Sequence, residues 1–161
     1  MMDVPFDVVE VGSGDKEAER LFRRAFRSPA PDYPRHFVAL QRQSSGRRAA
    51  GYIHFTVFEP GVFLCGGLCV DSAVYRRLAV EERRALAERG SLSRWLSERS
   101  IAALGPKRAV FAYTGDQRSR RDAFALGFSP TAGPHLLVQW HDEPQSVRPD
   151  LVAKVSAIGP F

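Results

Sequence analysis

The stretch RGSLSRWL, residues 89–96, sets a glycine, two serines and two arginines just ahead of a run with helical spacing. Small residues there let a ligand approach the main chain, and the N–H groups of a helix start attract anions. Such a turn suits a phosphate or pyrophosphate, and the same residues equally describe a serine-capped helix following a turn. A second set with chemical potential is Cys65 and Cys69 in VFLCGGLCV, residues 62–70. On one strand, four residues at about 3.3 Å each hold the two roughly 13 Å apart, beyond disulfide reach. They share a face, but zinc needs two more ligands and no second pair stands at ligand spacing. No metal is expected; buried strand cysteines in a reducing compartment fit the pattern.

The elements around these residues must place them. FDVVEV (6–11) suits a strand, and Ala18, Leu21, Phe22, Ala25 and Phe26 then follow the spacing of an amphipathic helix. Three prolines make RSPAPDYPR (27–35) a loop. HFVALQRQ (36–43) reads as a strand, SSGR as a turn and AAGYIHFTVF (49–58) as another strand. In that strand Tyr52, His54, Thr56 and Phe58 alternate with Ile53, Phe55 and Val57. A Glu-Pro-Gly turn leads into VFLCGGLCV and completes an antiparallel meander.

DSAVYRRLAVEERRALAE (71–88) is polar, with a short helix predicted in its second half. SLSRWLSERSIAAL (91–104) is a helix stopped by Gly105 and Pro106. RAVFAY (108–113) is a strand, QRSRRDAFAL (117–126) a helix closed by Gly127, and HLLVQW (135–140) a last strand. A tail with prolines carries one helical candidate, DLVAKVSAI. The expected fold is therefore mixed α/β, one domain over residues 1–144 with an insertion at 71–88, followed by a C-terminal tail at 145–161.

With 161 residues, 44% hydrophobic and 25% charged, the chain has the make-up of a folded globular protein. Its longest apolar run, 62–70, is too short to span a bilayer, so no membrane partner is expected. The opening MMDVPFDVVE lacks a basic n-region, which gives the expectation of a cytoplasmic protein without a secretory signal. The net charge of +5 invites a nucleic-acid reading. Against it, the arginines are scattered and no aromatic stacking platform accompanies them. No nucleic-acid partner is expected, and a basic mouth for an anionic ligand needs only a few of these charges.

This order of elements resembles the GNAT superfamily of acyl-CoA-dependent N-acyltransferases over residues 6–141. The resemblance rests on the order itself, on FLCGGLCV leading into ERGSLSRWL and its helix, and on DQRSRRDAFALGF (116–128), which is similar to the family's run from an Asn through a short helix to a closing Gly-Phe. It implies a central, mostly antiparallel sheet of six to seven strands, splayed between the fourth and fifth, with about four flanking helices. It also implies acetyl-CoA as cosubstrate. The pyrophosphate would meet Arg89, Gly90, Ser91, Leu92, Ser93 and Arg94; the thioester and pantetheine would lie along Leu68, Cys69 and Val70; and Asp116 takes the place of the Asn.

The chain departs from the family at three points. Ser91 and Ser93 stand where the family has Gly and Gly or Ala, Gly90 comes one position early, and Glu88 replaces an Arg or Gln. The 71–88 segment is longer than the family's usual connection, and it reads as a flap over the site, a homodimer contact or a solvated excursion. Ala123, beside Phe124, occupies the place of the family's proton-donating tyrosine, leaving Tyr113, Tyr75 or water as donor. For the base that frees the amine, the resemblance points to His54, Glu59 and Asp71, with His135 near the acceptor side. Each has a plainer role available: a hydrogen-bonded sheet histidine, a residue before a turn, a helix cap. Phe37, Tyr52, Phe55 and the 27–35 loop would shape the acceptor pocket or simply pack the core.

The first reading is thus an N-acetyltransferase passing an acyl group directly to a primary amine of a small molecule or peptide. The alternative is a catalytically silent acyl-CoA-binding or protein-interaction module with the same fold.

Overall fold

In a computed structural model of the chain, residues 3–42 and 45–161 are described. Gln43, at the end of one expected strand, and Ser44, at the start of the expected turn, lie outside the described residues. The first half runs β1 (Phe6–Val11), α1 (Lys16–Phe26), β2 (Arg35–Gln41), β3 (Ala49–Glu59) and β4 (Val62–Val70). Three helices follow: α2 (Ser72–Arg77), α3 (Val80–Glu88) and α4 (Leu92–Ala103). The remainder is β5 (Ala109–Tyr113), α5 (Gln117–Ala125), the two-residue β6 (Ser129–Pro130), β7 (Leu136–Trp140) and α6 (Arg148–Ser156). The strands form one seven-stranded sheet in the order β1-β2-β3-β4-β5-β7-β6. It is the mixed sheet expected, with β4 and β5 parallel and the pairs β1–β2, β5–β7 and β6–β7 antiparallel.

The chain divides into two compact units, one of residues 1–54 and 67–103, the other of residues 55–66 and 104–161. In the first, α1 starts at Asp15, whose carboxylate accepts hydrogen bonds from the amides of Glu17 and Ala18. Acidic residues in its first turn and arginines in its last complement the helix dipole. Its buried face, Ala18, Leu21 and Phe22, packs on Val38, Ala49 and Tyr52. Gly51 of β3 admits α4: a methyl group added there would come within 2.9 Å of Leu96. The helices of the 71–88 segment each bury apolar side chains, Val74 on α2 and Ala85 and Leu86 on α3, with Leu78 buried between them. Helix α2 was not expected, because a six-residue helix is too short to display a period.

In the second unit, β4 pairs with β5 from Val62–Ala109 to Cys65–Ala112, and β5 pairs with β7 from Ala109–Trp140 to Tyr113–Leu136. Val62, Leu64, Phe111, Leu136 and Val138 form a core that also takes in Leu151 and Val155 of α6. The tail is therefore part of this core. Pro149 in the first turn of α6 removes an N–H that has no intrahelical partner there. Arg108 bridges Glu59 before the β3–β4 turn, at 2.9 Å, and the buried Glu143, at 2.6 Å. Six α-helices are present among the described residues against about four expected, the additions being α2 and the tail's α6.

Because Leu151 is 3% exposed, truncating it leaves a cavity in the second unit. Leu151→Ala should cost about 3 kcal/mol of stability, read as a lower urea midpoint at unchanged slope.

Candidate active site

Helix α4 begins where α3 ends, and local hydrogen bonds account for Gly90 and Ser91 in RGSLSRWL. The Arg89 and Gly90 amides donate to the carbonyls of Leu86 and Ala87, each at 3.0 Å. Gly90 takes φ +99, which closes α3 in a conformation that side chains disfavour. The Ser91 hydroxyl accepts from the Arg94 amide at 3.0 Å and its carbonyl accepts from the Trp95 amide at 2.9 Å, so Ser91 caps α4. Gly90 thus stands one position early because it terminates one helix while Ser91 starts the next. The Arg94 side chain folds over Gly90, and Arg89 and Arg99 flank the Trp95 ring at 5.7 and 5.2 Å. Cations therefore gather around the positive end of α4.

The end of β4 lies in the same unit. Leu68 and Cys69 are half-buried and Val70 is exposed. Cys69 approaches the Leu21 carbonyl of α1 at 3.7 Å, and burial pushes its thiol up to about 12, as it does the Cys65 thiol. Neither is a thiolate nucleophile at neutral pH, and both are free cysteines. Among the described residues, no group of three or more His, Cys, Asp or Glu is placed to hold a metal ion. No helix among them is long and apolar enough to cross a membrane.

Upstream of Leu68, the His54 ring of β3 lies against Gly67. A methyl group there would sit 2.6 Å from His54 Nδ1, and Gly67 has φ +63, so glycine is required twice over. The Tyr52 hydroxyl is 3.1 Å from His54 Nδ1 and 2.7 Å from His36 Nδ1. Tyr52 and His36 are fully buried, and Phe22 of α1 closes over Tyr52 edge-on. Burial, with His36 nearby, lowers the His54 pKa to about 4; burial also lowers that of His36 and raises that of Tyr52. His54 is therefore neutral at physiological pH. His36 carried no signal in the sequence, since one histidine in an apolar strand does not announce its partners.

The carboxylates are engaged. Asp71 is 2% exposed and caps α2 through the Ala73 amide. It also pairs with Arg20 at 2.9 Å, Arg24 at 3.0 Å and Arg48 at 3.6 Å. Burial works to raise its pKa, but the bonds from Arg20 and the Ala73 amide, with the charges of Arg24 and Arg20, outweigh it and hold the group below its usual range. In the second unit, Glu59 is paired with Arg108 and lies 4.0 Å from Lys154. Tyr113 packs against His135 and Phe161, and Asp116 caps α5 through the Ser119 amide; hydrogen bonds from the Ser119 side chain and then its amide lower the Asp116 pKa. Ala123 and the exposed Phe124 lie on α5, with Arg120 over the Phe124 ring. Phe37, Tyr52 and Phe55 are completely buried and pack the core.

No family model and no curated protein matches this chain by sequence. Solved structures do match it by shape. Ard1 from Thermoplasma volcanium superposes with TM-score 0.57 at 12% identity, over 85% of this chain and 98% of that one. Ribosomal-protein-S5-alanine acetyltransferase from Vibrio fischeri gives 0.56 at 11% identity, covering 88% and 96%. An acyl-CoA N-acyltransferase from Pseudomonas aeruginosa gives 0.54 at 15% identity, covering 83% and 99%. The fold is that of the GNAT acetyltransferases. On the GNAT fold, the first unit holds His54, Leu68–Val70, Asp71 and Arg89–Arg94, and the second holds Glu59, Tyr113 and Asp116.

Because the folded pKa of Asp71 lies below its unfolded value, its carboxylate stabilises the fold above that unfolded value. The contribution fades as pH falls through the folded pKa. Asp71→Asn should lose about 3 kcal/mol near neutrality, with the gap to wild type narrowing between about pH 5 and about pH 2. Thermal melts across that range check both the size and the sign.

Proposed function

We infer that the protein is an acyl-CoA-dependent N-acyltransferase. What supports this most is the arrangement in one unit of a GNAT fold: the last residues of β4, 67–70, together with a serine-capped, cation-ringed helix start. Leu96 of α4 meets the β3–β4 backbone at Gly51, near the Cys69 carbonyl, which ties the helix start to the strand end. In this reading the amides at the start of α4, with Arg89 and Arg94, receive the pyrophosphate. The Arg89 and Gly90 amides are spent on α3 and the Arg94 amide on the Ser91 hydroxyl. Leu68–Val70 orient the thioester.

The reaction is direct transfer. An unprotonated amine nitrogen attacks the thioester carbonyl carbon; the C–N bond forms, the C–S bond breaks, and the proton that the nitrogen sheds passes through water to the departing CoA thiolate. Neither Ala123 nor Phe124 donates a proton. Asp71 and Glu59 hold their carboxylates in ion pairs, which suits an acceptor that arrives with some of its amine already neutral. The acceptor is a small-molecule or peptide amine.

The same ion pairs favour a second reading, an acyl-CoA-binding module without turnover. Following free thiol while acetyl-CoA is mixed with a panel of amines separates the two: thiol release establishes transfer, and binding without release across the panel establishes the module. Under either reading, Arg94→Glu should weaken CoA binding about tenfold in titration calorimetry at low salt. Unchanged affinity would remove the helix start from the site.

A further inference from the structure

The His36–Tyr52–His54 chain has a hydrogen count that decides which nitrogen of His54 carries the proton. Two hydrogen bonds meet at the Tyr52 oxygen, from His36 Nδ1 at 2.7 Å and His54 Nδ1 at 3.1 Å. The buried phenol hydrogen has only these two nitrogens as acceptors among the described residues, so one imidazole accepts at Nδ1 and the other donates its Nδ1–H to the phenol oxygen. The far nitrogen of His36, Nε2, is buried with no hydrogen-bond partner among the described residues. If His36 carried its proton there, an N–H would be orphaned in the core, an arrangement proteins avoid more strictly than an unfilled lone pair. His36 is therefore the Nδ1–H donor, Tyr52 passes its hydrogen to His54 Nδ1, and His54 holds its proton on Nε2.

That nitrogen faces outward from the chain of bonds. Among the described residues no group bonds to His54 Nε2, and the ring is half-buried. Gly67, immediately before Leu68, lies under the ring and Phe22 flanks it, their centroids 6.0 Å apart. The other titratable groups acting on the chain are Glu10, Asp15 and Glu19 around His36, and Glu19 and Cys69 around Tyr52.

We propose that His54 is a neutral hydrogen-bond donor, presenting Nε2–H to the thioester oxygen on β4, and that Tyr52 and His36 are the positioning residues that lock this tautomer. The role rests on the acyl-transfer reading and reverses the proton-acceptor role that residue type and location alone suggest for His54. A fixed, uncharged donor strengthens as negative charge gathers on the carbonyl oxygen during attack, and it need not reorganise to do so. Burial keeps the ring from charging, which leaves it in donor form across the physiological range.

Two readouts test the proposal. Proton–nitrogen correlation spectra of the histidine rings, taken between about pH 5.5 and about pH 8, should show one Nε2–H tautomer for His54 that does not titrate, and a tautomer mixture in Tyr52→Phe. An Nδ1–H tautomer, or titration near 6.5, overturns the lock. In turnover, His54→Ala should lose about a hundredfold in kcat, and His54→Gln, whose amide N–H reaches the Nε2 position, should recover at least about tenfold of it. A Gln variant no better than Ala overturns the donor role. No thiol release from acetyl-CoA by the wild-type protein with any amine would defeat the transferase reading and the donor's use in it, while the ring spectra decide the lock on their own.

Discussion

The carboxylate of Asp71 holds the first unit together at the point where β4 ends and α2 begins. It receives Arg20 and Arg24 from α1 and Arg48 from just before β3, while its second duty is to cap α2. Arg20 extends the cluster to Glu17 and to the Ala49 carbonyl. A buried charge is tolerable only when its partners are in place, so this anion makes the position of α1 against the sheet an all-or-none matter. Because α1 carries Phe22 on its opposite flank, the same constraint sets the lid over Tyr52 and His54.

The chemistry available at β4 follows from what that constraint consumes. Acidic groups near the strand are neutralised by arginines, thiols are held protonated by burial, and the one half-buried imidazole is kept uncharged. The face is poor in bases and rich in fixed dipoles. On the acyl-transfer proposal, such a surface suits a reaction whose demand is orientation of a thioester and stabilisation of a developing oxyanion, rather than removal of a tightly held proton.

Much of the fold was legible in the sequence. The nine residues of β4 stand out by apolar content between turn residues, α1 by its spacing, and α5 by Asp116 before it and Gly127 after it. Helix α2 was hidden because one and a half turns carry no period, and α6 was read as a tail because its burial depends on strands far away in the chain. At the candidate site, RGSLSRWL was recognised as a helix start, but whether its glycine served a ligand or a neighbouring helix was undecidable until the Gly90 amide was seen bonded to Ala87.

The sequence by itself determined most of the local elements, the cap residues and the reach of β4. Period, caps and turn residues act between near neighbours, so they can be read along a line. The tertiary structure alone decided which arginines claim Asp71, that His36 meets His54 through Tyr52, and that Gly67 is glycine because an imidazole lies on it. Those pairings join residues tens of positions apart, and their protonation follows from burial, which exists only once the chain has folded.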